Sequence, residues 1–201
     1  MCVRFVGLDA KQNRIDDRLE GLRDRFPGDE AGIVRPEGEV AMAWWGLQPA
    51  WAKDVDFGRK NAYNARAETI AEKPTFRSAF RHRRCLIPAA AFYERSEGHW
   101  FRMSPRQDES FSIAGLWEPG DVATFTMVTT EPNRAIADVQ DRMPVLLGPA
   151  EVEAWLSPET SLAELRTLMV PCPATWVMVE DAGPIGRRAR EASLFEEEAG
   201  A

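Results

Sequence analysis

The chain begins Met-Cys-Val-Arg-Phe, which puts a cysteine at position 2. A small side chain after the initiator Met generally permits removal of that Met. Cys2 would then hold a free α-amine and a thiol two carbons apart. An amine and a thiol at one point can together capture an aldehyde. Their ordinary pKa values, about 8 and about 8.5, leave both needing only modest activation near neutral pH. Position alone also suits a plainer role, a small hydrophobe starting a buried strand.

Four further stretches carry residue types that could serve such chemistry. "NARAET" (64–69) packs an amide, a cation and a carboxylate together. An Asn amide both donates and accepts, so Asn64 could fix a nucleophile's orientation, or simply make an Asx-turn. "PAAAFYE" ends in Glu94 after an apolar run. A carboxyl there can be partly desolvated, which raises its pKa towards acid–base duty, or it can end the strand in water. "QDRMP" (140–144) sets Gln140 and Arg142 before an apolar stretch and could equally be a turn. "WWGLQPAW" (44–51) places three Trp around Gly and Pro. A loop Trp is a stacking platform for exposed bases, and a core Trp is a space filler.

The elements that must position these residues follow from patterning. Residues 2–7 read as a short strand. Asp9 can cap a helix in which Ile15, Leu19, Leu22 and Phe26 share one face and which Pro27-Gly28 stops. Residues 39–47 read as a strand, 48–69 as loop-rich, and 75–84 as a short basic helix after Pro74. Strands are expected at 85–94, 99–103, 111–118, 124–130, 142–147 and 175–180, separated by polar turns. Helices are expected at about 149–156 and 161–168, the second with Ser161 and Glu164 at capping-box spacing. The fold class is α+β: one domain over 1–185, a curled, largely antiparallel sheet or barrel-like core flanked by helices, with a charged tail at 186–201.

Composition narrows the classes. The 201 residues are 44% hydrophobic and 28% charged, which suits one domain with a sizeable core. No apolar run is long enough to span a membrane, and the start lacks a signal-peptide layout. Three cysteines, Cys2, Cys85 and Cys172, form neither a disulfide framework nor a CxxC site, which points to a reducing, cytoplasmic setting. With only His82 and His99 a histidine-rich metal site is not expected, and no cofactor is implied. The net charge of −7 is uneven: −2 over residues 1–52, +6 over 53–106 and −11 over 107–201. The basic middle could form an anion-binding face, or be cancelled in space by its neighbours.

The order of these blocks is more specific than any one of them. "MCVRF", "WGLQPAWA", "NARAET", "FRSAFRHRRCLIPAAAFYE", "AGLWE", "TFTMVTT" and "DRMPVLL" occur in series over roughly residues 1–156. The chain resembles the SOS response-associated peptidase (SRAP) family. The resemblance implies a protein that senses abasic sites in single-stranded DNA and bonds to them covalently, shielding the lesion, with replication or repair proteins as partners and nucleoid association when bound to DNA. In that reading the Cys2 amine attacks the open-sugar aldehyde to give a Schiff base, and the thiolate closes a thiazolidine ring. Asn64 would orient the amine and Glu94 would shuttle protons. Arg4, Arg66 and Arg142 would hold phosphates, Trp51 would stack on a base, and Thr129 would hydrogen-bond near the lesion. Gln140 stands where the family usually has His, and an amide cannot exchange protons near pH 7. Val3 replaces a Gly, and Arg95 a Trp. Two other readings remain: a thiol peptidase using Cys2 with His82 or His99, and a non-catalytic single-stranded-DNA-binding module.

Overall fold

A computed structural model describes residues 2–7, 23–106 and 110–185. The apolar alternation builds a mainly antiparallel sheet. Its strands are β1 (Arg4–Gly7), β2 (Arg23–Arg25), β3 (Glu30–Val34), β4 (Val40–Trp45), β5 (Asn64–Arg66), β6 (Arg84–Ser96), β7 (His99–Pro105), β8 (Phe111–Glu118), β9 (Thr124–Thr130), β10 (Met143–Pro144), β11 (Leu146–Leu147) and β12 (Val177–Pro184). Five of them close on themselves: β8 pairs β9, β9 pairs β4 in parallel, β4 pairs β3, β3 touches β6 at Val34↔Leu86, and β6 returns to β8. The expected barrel-like core is therefore a closed barrel, which leaves no unpaired edge within the ring.

Side chains alternate along these strands between two cores. Ile33, Trp45, Cys85, Ile87, Ile113, Phe125 and Met127 belong to one. There Trp45 and Phe125 stack with centroids 6.4 Å apart, and Phe5 meets Trp45 edge-on at 5.0 Å. The residues between them, among them Leu86, Ala114, Leu116 and Val128, pack against the helices α2 (Arg77–His82), α3 (Pro149–Leu156) and α4 (Leu162–Leu168). Ser161 and Glu164 form the expected capping box.

Three expectations change. The stretch 48–69 holds a short helix, α1 (Phe57–Asn61), and β5, which lies parallel to β9. Neither has the length to show a period. The strand expected at 142–147 is split, because the chain crosses from β9 to β8 around Val145: β10 pairs β9, and β11 pairs β8. The helix expected to end at Phe26 does not reach it, since β2 pairs with β1 there. Residues 8–22 of that expected helix and the tail at 186–201 lie outside the described residues. No helix among the described residues is long and apolar enough to cross a membrane.

Arg84 holds the helical layer together. It is buried, and its guanidinium donates to the carbonyls of Trp155 (2.6 Å) and Ser157 (2.6 Å) at the end of α3, and of Phe80 (2.8 Å) and Arg81 (2.9 Å) in α2. Helix C-termini carry partial negative charge and unpaired carbonyls, and one planar fork serves two of them. Arg84→Ala would leave several buried acceptors unpaired at about 1–3 kcal/mol each, so a loss of at least about 3 kcal/mol is expected in urea unfolding. Arg84→Lys should recover only part of it, because an ammonium cannot fork between the two helix ends.

Candidate active site

Pairing of β1 with β6 places the start of the chain. Arg4 lies opposite Tyr93 and Phe5 opposite Phe92, so the residues before β1 fall beside Glu94. Cys2 is fully buried, and its thiol donates to the Arg4 carbonyl at 3.5 Å. Its own carbonyl accepts from Asn64 Nδ2 at 2.7 Å. Asn64 can reach it because β5 lies alongside β9, with Asn64 opposite Met127. The Asx-turn alternative is thereby replaced by a strand Asn that bonds across 62 residues of sequence. Asn64 Oδ1 is buried without a hydrogen-bond partner among the described residues, which leaves an acceptor unused next to Cys2.

Glu94 is 1% exposed, so it is not a strand-end carboxylate in water. Burial pushes its pKa from the ordinary 4.5 up to about 7, against the opposing pull first of the positive charge of the chain's N-terminus and then of a hydrogen bond from Gln140. Gln140 Nε2 donates to Glu94 Oε2 at 3.3 Å, while Gln140 Oε1 accepts from the Asp141 N–H at 3.0 Å. That second bond turns the NH₂ end of the amide towards Glu94. Burial, and secondly the charge of Glu94, raise the Cys2 thiol well above its ordinary range. At rest near pH 7 the site therefore holds a neutral thiol beside a carboxyl poised between its two states.

The DNA-binding candidates separate into two groups. Trp51 is 55% exposed and rests edge-on against Phe57 at 5.2 Å. Arg66 is exposed and forms no ion pair with a described residue. The others are engaged within the fold. Arg4 pairs with Asp24 at 2.7 Å and lies over the rings of Tyr93 and Trp100. Arg142 is buried: it grips Glu68 with both forks, at 2.6 and 3.0 Å, and donates to the Thr129 carbonyl at 2.7 Å. Thr129 is wholly buried and donates to the Ala65 carbonyl. Together Arg142 and Thr129 fasten the segment carrying Gln140 to the strand carrying Asn64.

Glu68 was visible in the sequence only as the carboxylate of "NARAET". Its partnership with Arg142 joins positions 74 apart and has no local signal. His99 is held by Asp181 at 2.8 Å, His82 ends α2, and no hydrogen bond joins either to Cys2. No cluster of three or more His, Cys, Asp or Glu suited to a metal occurs among the described residues.

Comparison with known proteins places this arrangement. The profile of a family described as SOS response associated peptidase (SRAP) matches residues 1–182. The abasic site processing protein YoaM of Bacillus subtilis is 42% identical over 147 residues, 65% of this chain and 62% of its own length, and YoqW of the same organism is 39% identical over a stretch of the same size. The chain thus spans a little under two thirds of these Bacillus relatives. The abasic site processing protein YedK of Escherichia coli is 28% identical over 186 residues, covering 80% of this chain and 82% of its own. A crystal structure of a Bacteroides thetaiotaomicron protein superposes with a TM-score of 0.77 at 26% identity, over 90% of this chain and 91% of the other. A Bordetella bronchiseptica protein gives the same TM-score at 25% identity, over 90% and 99%. With the profile matched over residues 1–182, a span that includes the whole barrel, the chain belongs to the SOS response associated peptidase family.

Proposed function

We propose that this protein captures abasic sites in single-stranded DNA as a covalent thiazolidine at Cys2, once Met1 has been removed. The observation that carries the proposal is the meeting of Cys2, Asn64 and a desolvated Glu94 in one buried site. The names of the relatives, abasic site processing proteins, support the substrate class.

The steps balance with Glu94 as the one proton carrier. The Cys2 amine adds to the sugar aldehyde, forming a C–N bond and a carbinolamine. Protonated Glu94 gives its proton to the hydroxyl, water leaves, and an iminium remains beside a new carboxylate. The carboxylate then takes the thiol proton, and the thiolate attacks the iminium carbon to form the C–S bond. Glu94 ends protonated as it began, and one water is released. The raised thiol pKa delays ionisation until the iminium is there to receive the thiolate. Asn64 holds the Cys2 carbonyl, and its unused Oδ1 is the natural acceptor for the amine. Holding both nucleophiles at one carbon makes ring closure intramolecular, which can contribute several kcal/mol. A Cys–His hydrolase is less well supported, since neither histidine hydrogen-bonds the thiol.

Incubation with abasic single-stranded DNA, followed by denaturing electrophoresis and intact mass measurement, tests this. The expected product has the mass of the chain without Met1, plus the DNA, less one water. Absence of a denaturant-stable product, or a product that retains Met1, overturns the proposal.

Non-covalent binding should separate the arginines. Arg66→Ala is expected to flatten the salt dependence by about 0.7 in log–log slope, the amount for one phosphate contact on a single strand. Arg142 is already neutralised by Glu68, so Arg142→Ala should leave the slope unchanged and lower the melting temperature instead. Slopes from a salt titration of affinity decide this.

A further inference from the structure

We propose that Gln48 is the positioning residue for Trp51, holding the loop that presents this ring in its binding shape before DNA arrives; the inference rests on the reading of Trp51 as a base-stacking platform. The loop between β4 and α1 is closed at its base by two glycines in backbone contact. Gly46 has φ +138°, and a Cβ there would lie 2.5 Å from the Arg59 nitrogen; a Cβ on Gly58 would lie 2.1 Å from the Gly46 oxygen. Only glycine fits at either point.

Inside the loop so closed, Gln48 uses its whole side chain. Nε2 donates to the carbonyls of Ala52 (3.1 Å) and Asp54 (2.9 Å), and Oε1 accepts from the Gly58 N–H (3.0 Å). Its backbone N–H is anchored on Thr124 Oγ1 of β9 at 3.0 Å. The bond from Ala52 N to Pro49 O makes a turn with Trp51 near its crest, and Phe57 backs the ring. One amide therefore ties the far limb of the turn, the following bend and the start of α1 to the barrel wall. A loop ordered in advance spares the binding step that ordering cost. An apolar residue at 48 would leave two carbonyls and one N–H to find water.

The test is a double-mutant cycle read as Kd for an unmodified oligothymidylate, so that no covalent step enters. Trp51→Ala is expected to weaken binding roughly tenfold or more, the size of one lost base stack. Gln48→Leu should weaken it roughly three- to tenfold, the ordering cost of about one large side chain. In the Trp51→Ala background, Gln48→Leu should have no further effect. Amide hydrogen exchange should quicken over 49–57 and stay unchanged in the barrel strands. Should Gln48→Leu fail to fold, Gln48→Glu keeps the acceptor for Gly58 and loses both donors, with the same expectation. Equal weakening by the Gln48 change in both backgrounds, or none beside a weakened Trp51→Ala, overturns the inference. An unaffected Trp51→Ala removes the stacking reading itself, and the inference with it.

Discussion

Replacing Cys2 by alanine is expected to abolish the spontaneous, denaturant-stable adduct with abasic single-stranded DNA while leaving a Schiff base that borohydride can trap. An alanine in second position still permits Met1 removal, so the α-amine survives and only the thiol is lost. The imine formed by such an amine reverses in water, and no second nucleophile is present to close the ring. Cys2→Ser should behave in the same way, since a hydroxyl is a far weaker nucleophile than a thiolate near pH 7. The thiol is fully buried, so truncation creates a small cavity, but at about 1 kcal/mol or a little more the fold should persist, and a melting curve checks this. Should Cys2→Ala give the wild-type yield without borohydride, the nucleophile lies elsewhere.

Glu94→Gln is expected to slow adduct formation by roughly 10²–10⁴-fold, the usual contribution of a general acid–base group. The amide is nearly isosteric and can still bond Gln140, so what is lost is proton transfer. The pH profile identifies the cause. Protonated Glu94 declines as pH rises through about 7, whereas the free amine grows towards its ordinary pKa of about 8. The wild-type rate should therefore be bell-shaped, and the Gln variant should keep only the rising limb. Stability carries the same signature. A folded pKa raised from 4.5 to about 7 means that the native state binds the proton more tightly than the unfolded chain. The stabilisation is complete below about 4.5 and is lost as pH rises through about 7, a fall of about 3 kcal/mol that Glu94→Gln should not show. Wild-type and variant rate profiles of the same shape would remove Glu94 from the proton path.

The strands at 111–118 and 124–130 were legible because each is rich in apolar or β-branched residues and bounded by polar turns. The barrel was less so, since its closure depends on β6 meeting β8 and β4 meeting β9, pairings that no local pattern encodes. Cys2, Asn64 and Glu94 were legible as residue types in an ordered series of blocks. Their proximity follows from β1 on β6 and β5 on β9. The engaged states of Arg4 and Arg142 were hidden for a simple reason: an arginine reads as a cation whether its partner is a phosphate or, as here, Asp24 or Glu68. Arg84 looked like part of a basic helix, and only burial reveals it as the clamp on two helix ends. Gln48 sits in a stretch without periodicity, where patterning gives no signal.

The site draws on both ends of a long stretch of chain, and this orders events during synthesis. Cys2 leaves the ribosome first, whereas Gln140 follows by roughly 7–30 s at bacterial and eukaryotic elongation rates of about 5–20 residues per second. Until β8 and β9 have been made, the ring cannot close and β5 has no strand to lie against. Through that interval Cys2, on the proposed reading and once Met1 is removed, is an ordinary aminothiol in water, without its carboxyl or its amide. Capture assisted by Glu94 and Asn64 is therefore expected to arrive only with completion of the barrel.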